Sequence, residues 1–145
     1  MILRIKKLND RAVTPTYGSE FSAGADLYSA EEGDVAVAPG KAVLIHTGIA
    51  AEIPEGYVGL IFARSGLATK RGLAPSNKVG VIDADYRGEI MVSLYNQSDK
   101  DQTVEAGERI AQMAIVPFLH AEFEEADELS DTVRGSGGFG STGTK

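Results

Sequence analysis

At 145 residues with no cysteine, the chain has the length of one domain that buries roughly two-thirds of its unfolded surface, and disulfide frameworks, thiolate metal sites and cysteine nucleophiles are excluded together. A net charge of −7 excludes an extended cationic face for a nucleic-acid backbone and leaves only local cations for a small anion. No apolar run reaches the roughly eighteen residues of a membrane helix, and Met1-Ile2-Leu3-Arg4-Ile5-Lys6 is too short and too interrupted for a signal peptide. The expected setting is therefore cytoplasmic, with neither membrane nor nucleic acid as partner.

In chain order, Ala23-Gly24-Ala25-Asp26-Leu27-Tyr28 opens a strand, with turn or cap duty the default for Asp26. Short apolar stretches then follow at 41–47, 57–62, 90–96 and 109–116. Between them, Ala38-Pro39-Gly40-Lys41, Ile53-Pro54-Glu55-Gly56 and Glu105-Ala106-Gly107-Glu108 supply turn geometry. Amphipathic helices of ten or more residues do not alternate with these strands, so an all-β sandwich or jelly-roll-like barrel is expected rather than a parallel sheet. His46 and His120 fall in no metal-ligand spacing and read as ordinary strand or surface residues.

One short helix is expected. Ser65 can cap it, Leu67 and Ala68 suit its interior, and Lys70 and Arg71 suit the last turn before Gly72. Free N–H groups at Ser65 and Gly66, with Arg64 beside them, form a local anion site; the plainer alternative is a surface turn carrying an arginine.

From Asn77 to Gly88 the chain reads as a hairpin running into an apolar strand. Aspartates there ordinarily serve the turn, which suits Asp85. Asp83 follows Val81-Ile82, where partial burial would raise its pKa and make it a better base. Asn96-Gln97-Ser98 matches a glycosylation sequon but has no consequence without a secretory signal. Gln112 puts an amide on a strand whose alternate residues Ile110, Ala114 and Val116 are apolar, so it needs a partner, either neighbouring backbone or a ligand phosphate. The final stretch, 134–145, holds one large apolar side chain and reads as a flexible terminus. Yet Arg134 offers a phosphate fork, Phe139 a stacking surface and the glycines a wrapping backbone, so a lid that orders on ligand has the same composition.

Together these segments resemble the trimeric deoxyuridine triphosphatases, the dUTP pyrophosphatases, along nearly the whole chain. The resemblance rests on five motifs in the family's order: Ala23 to Leu27, Arg64-Ser65-Gly66-Leu67, Asn77 to Gly88, Arg109-Ile110-Ala111-Gln112, and Arg134 to Gly143. Ala63 departs from the proline that many members place before the arginine. The resemblance implies an all-β, jelly-roll-like or β-clip barrel with one short helix, a β domain over 1–133 and a flexible C-terminal arm over 134–145, assembled as a homotrimer with sites at subunit interfaces.

It further implies hydrolysis of dUTP to dUMP and pyrophosphate, with the residue matching Asp83 holding a water that attacks the α-phosphorus. Tyr86 would exclude a ribose 2′-hydroxyl, and Asn77 with hairpin backbone would read uracil, with Gly80, Ile82 and Met91 as further substrate contacts. Phosphates would meet Arg64, Ser65, Gly66 and Gln112. A Mg²⁺ ion would be held chiefly by the phosphates, with Asp26 touching its waters. From the arm, Phe139 would stack on uracil, and Arg134, Gly140, Ser141 and Thr142 would engage the nucleotide. Two rivals are a dCTP deaminase and a nucleotide-binding module without turnover. The deaminase is opposed by Ser93, where a glutamate would be required, and by Gly66, where it carries a serine.

Overall fold

Glycine and proline punctuation cuts the chain into short extended pieces, and in the computed structural model, which describes residues 1–138, these become β1 (Arg4–Lys7), β2 (Thr16–Tyr17), β3 (Ala25–Tyr28), β4 (Val35–Val37), β5 (Ala42–Glu52), β6 (Tyr57–Ala63), α1 (Ser65–Arg71), β7 (Leu73–Pro75), β8 (Gly80–Ile82), β9 (Glu89–Asn96), β10 (Gln102–Val104) and β11 (Arg109–Pro117). Strands pair antiparallel throughout the described residues, in a four-stranded sheet β1-β5-β9-β7, a five-stranded sheet β2-β3-β11-β6-β8 and a two-stranded sheet β10-β4. The all-β expectation with a single short helix stands, and the sheets are open at their edges. The three expected turns close as hydrogen-bonded bends: Lys41 N–H donates to Ala38, Tyr57 to Pro54 and Glu108 to Glu105. Gly40 holds the third place of the first turn at φ 68°, the left-handed region that a type II bend requires.

Inward-facing residues of all three sheets form one core. Ile45, Ile90 and Leu94 come from the four-stranded sheet, Leu27, Ile61 and Met113 from the five-stranded sheet, and Val37 and Val104 from the small one. Burying such side chains supplies about 2 kcal/mol each, which outweighs the cost of ordering them. Leu67 is the side chain by which α1 joins this core. No helix among the described residues is long and apolar enough to cross a membrane.

The structure departs from expectation at three places. The segment 77–88 is not a hairpin paired with itself: β8 pairs with β6, whereas β9 lies in the other large sheet between β5 and β7. Its turn therefore carries the chain from one sheet to the other. α1 is capped by Arg64 without a side-chain hydrogen bond, and Ser65 is its first helical residue rather than its cap. On β11 the ladder with β3 shifts register between Arg109 and Ala111, which turns Ile110 fully into the core and away from the face of Gln112.

Asn96 is buried, its amide nitrogen donating to the carbonyls of Val37 at 2.8 Å and Lys100 at 2.7 Å while its oxygen accepts from Ser98. The asparagine of the sequon is thus locked in the interior. Beyond Pro117 the described chain leaves the sheets, and Phe118 to Ser136 are exposed.

Candidate active site

Two hollows gather several of the expected residues. The first, about 480 Å³, is lined by Asp26 on β3, Arg64, Ser65 and Gly66 at the start of α1, and Arg109 and Gln112 on β11. Adjacency on the sheet explains the meeting, since β3 and β6 flank β11 and Gln112 stands opposite both Asp26 and Phe62. The first helical hydrogen bond runs from Ala68 N–H to the Arg64 carbonyl, so the N–H groups of Ser65, Gly66 and Leu67 have no partner within the helix.

Asp26 serves neither turn nor cap. It sits largely buried on β3, with Arg64 Nε donating to one carboxylate oxygen at 2.8 Å and Arg109 Nη1 to the other at 3.2 Å. One carboxylate thereby holds two guanidinium groups at the rim, concentrating positive charge in an acidic chain. Gln112 donates to the Ala63 carbonyl at 2.9 Å, so its partner in this chain is backbone. A β-carbon at Gly24 would lie 2.7 Å from Gln112 Oε1, and glycine there makes room for the amide. Arg109 and Gly24 stand within the quoted motifs, but sequence reasoning assigns neither of them a role. A cation opening an apolar strand was the available signal for Arg109, whereas the clearance at Gly24 depends on sheet register.

A second, smaller hollow of about 230 Å³ is lined by Ile82, Asp83, Tyr86 and Met91 together with Leu44 and Glu89. The turn after β8 builds it: Tyr86 N–H donates to the Asp83 carbonyl at 3.2 Å, and the Tyr86 hydroxyl donates to the Glu89 carbonyl at 2.9 Å. A β-carbon at Gly88 would lie 2.6 Å from Tyr86 Cζ, so the ring folds back over that glycine. The partial burial expected for Asp83 is absent, because its side chain stands at the mouth of the hollow, exposed to solvent in the single chain. Leu44 and Glu89 escaped the sequence reading because β5–β9 register, not spacing, brings them here.

Asn77 lies in the exposed turn before β8, with its amide nitrogen 3.5 Å from the place a β-carbon on Gly80 would occupy. Neither residue lines either hollow. Arg134 is exposed, its Nε donating to the Gly137 carbonyl at 2.8 Å in a local loop. Phe139, Gly140, Ser141 and Thr142 lie outside the described residues. His46, expected to be unremarkable, pairs through Nδ1 with Glu89 at 2.9 Å. That hydrogen bond raises the imidazole pKa, against a smaller lowering by burial, with the charges of Glu89 and Glu31 adding to the rise. The two hollows share no lining residue, and no cluster of three acidic or imidazole side chains that could hold a metal occurs among the described residues.

A hollow of arginines and free N–H groups can take an anion such as a phosphate, and a separate, more apolar one beside a carboxylate can take a nucleoside, an arrangement that suits a hydrolase of phosphorylated nucleosides. Residues 10–143 match the family model described as dUTPase. The chain is 52% identical over 145 residues, all of both chains, to the deoxyuridine 5′-triphosphate nucleotidohydrolase of Hydrogenobaculum sp., strain Y04AAS1. The dUTPase of Staphylococcus bacteriophage 80alpha with dUPNHPP superposes with a TM-score of 0.90 at 34% identity, covering 98% of each chain. A mutant dUTPase from phage phi11 of S. aureus, described for its coordination of a structural Mg(II) ion, gives 0.80 at 29% identity, over 88% of this chain and 98% of that one. The chain belongs to the dUTPase family.

Proposed function

We propose that the chain hydrolyses dUTP to dUMP and pyrophosphate. The observation that carries the reading is the sorting of the two hollows, one furnished with cations and free N–H groups for phosphates and one with apolar walls and a carboxylate for a nucleoside. In this reading Asp83 accepts a proton from a water that attacks the α-phosphorus, and the Pα–O bond to the β-phosphate breaks with pyrophosphate leaving. Exposure of Asp83 at the mouth of the hollow supports access for that water. Tyr86 walls the sugar and excludes a 2′-hydroxyl, while Ile82 and Met91 pack the nucleoside and Asn77 with Gly80 reads the base.

Arg64, Ser65, Gly66 and Gln112 hold the phosphates. With both Asp26 oxygens already accepting from arginines and no protein cage of carboxylates among the described residues, a Mg²⁺ ion fits as one bound by substrate oxygens, whose waters Asp26 can accept from. Such an ion would neutralise phosphate charge. The arm supplies Arg134, Phe139, Gly140, Ser141 and Thr142 as a lid over the nucleotide.

In this reading the two hollows, which share no lining residue, come together from different copies of a homotrimer. Exposed Phe21, Leu119, Phe123 and Leu129 support that assembly, since each would otherwise leave a large apolar side chain in water. Absence of cysteine and the acidic charge support a cytoplasmic setting without nucleic-acid partners.

The test is pyrophosphate release from dUTP with Mg²⁺ by the full chain and by Asp83→Asn. Since Asp83 is exposed, the variant is expected to melt with the wild type yet turn over about a thousandfold more slowly. Equal turnover by the variant, or ammonia released from dCTP, would overturn the reading.

A further inference from the structure

The Glu89 side chain borders the nucleoside hollow and has no part in the reaction as read above. Between the pairs His46↔Met91 and Ala50↔Glu89, β5 carries Thr47, Gly48 and Ile49 while β9 carries only Ile90. The ladder is therefore interrupted at the end of β9 that receives the Asp83–Tyr86 turn. Gly48 sits at φ 65° within the interruption, and its N–H cannot join the regular pairing.

The Glu89 carboxylate closes the gap. One oxygen accepts from Gly48 N–H at 2.7 Å, and the other lies 2.9 Å from His46 Nδ1. His46 is in turn tied back to the loop before β4, its N–H donating to Glu31 at 2.7 Å. On its other side the Glu89 main-chain carbonyl accepts from the Tyr86 hydroxyl at 2.9 Å. A single residue thus joins the irregular part of β5 to the ring that faces the hollow.

We infer that Glu89, clamped by Gly48 and His46, is a positioning residue that stiffens the Tyr86 wall and so sets discrimination between deoxyribose and ribose triphosphates. The inference rests on the sugar-site reading of the second hollow. Selection by exclusion is only as strong as the wall is rigid, because a ring free to swing yields the space a 2′-hydroxyl needs. A residue that merely held the fold together would change stability, or turnover of both nucleotides alike, and would leave their ratio unmoved.

The experiment measures kcat/KM for dUTP and UTP with the full chain, Glu89→Ala and Glu89→Gln. Glu89→Ala is expected to raise UTP relative to dUTP by about tenfold. Glu89→Gln, whose amide oxygen can still accept from Gly48, is expected to stay within about threefold of wild type. An unchanged ratio in Glu89→Ala, or an equal loss in both variants, overturns the inference. Should Glu89→Ala fail to fold, His46→Ala replaces it, with an expected shift of about threefold and an unchanged ratio again decisive against it. Wild-type protein inactive on dUTP would overturn the functional reading and this inference together, whereas active wild type with an unmoved ratio strikes the inference alone.

Discussion

The fold raises the proton affinity of His46, chiefly through its hydrogen bond to Glu89. A raised folded-state pKa means that protonation favours the native state. The contribution is complete below the unfolded value of about 6.5 and is lost as pH rises through the higher folded value. The thermal midpoint of wild type minus that of His46→Ala is therefore expected to shrink as pH is taken from about 6 to about 9, by a degree or two at this half-exposed position. A difference that ignores pH would show that the imidazolium charge contributes nothing. At this scale the sequence was legible in where Asp83, Tyr86 and Gln112 gather, the first two at one hollow and the third at the other. It was silent on Glu89, whose importance exists only once β5 and β9 are in register. For Asp26, the two arginines that hold it come from positions 64 and 109, and no local pattern connects them.

Among the elements, α1 was the easiest to foresee and shows why it ends where it does. Gly72 takes φ 67°, its N–H closes onto Ala68, and a β-carbon there would lie 2.9 Å from the backbone nitrogen of Ser98. Gly72→Ala therefore meets both left-handed strain and a backbone that cannot step aside. The expected cost is about 2 kcal/mol, read as a lowered urea midpoint with unchanged slope, because the substitution acts on the folded chain. The strands were legible from punctuation, but their partners were not. The apolar stretch 41–47 predicts a strand ending at Thr47, yet β5 continues to Glu52 through an irregular stretch in which Gly48 imitates a terminus. β8 and β9 looked like two arms of a hairpin because they are close in sequence, and only the placement of apolar residues on two different sheets separates them. A bulge such as the one at Ile110 breaks alternation, so alternation could not reveal it.

Across the whole molecule, the core is finished by Pro117 and the remaining described chain adds no buried side chain to it. Deletion from Arg134 onward should therefore leave the melting temperature within about two degrees of wild type, measured by circular dichroism. Pyrophosphate release from dUTP should meanwhile fall by about a hundredfold, as the proposed role of the arm over the nucleotide requires. Full activity in the shortened chain would remove the arm from the site.

The outermost strand of the four-stranded sheet, β1, carries Arg4, Lys6 and Lys7 among its four residues. A second copy approaching that open edge to extend the ribbon would bring like charges opposite one another along its length. Growth into fibres by edge-to-edge addition is therefore opposed along that edge.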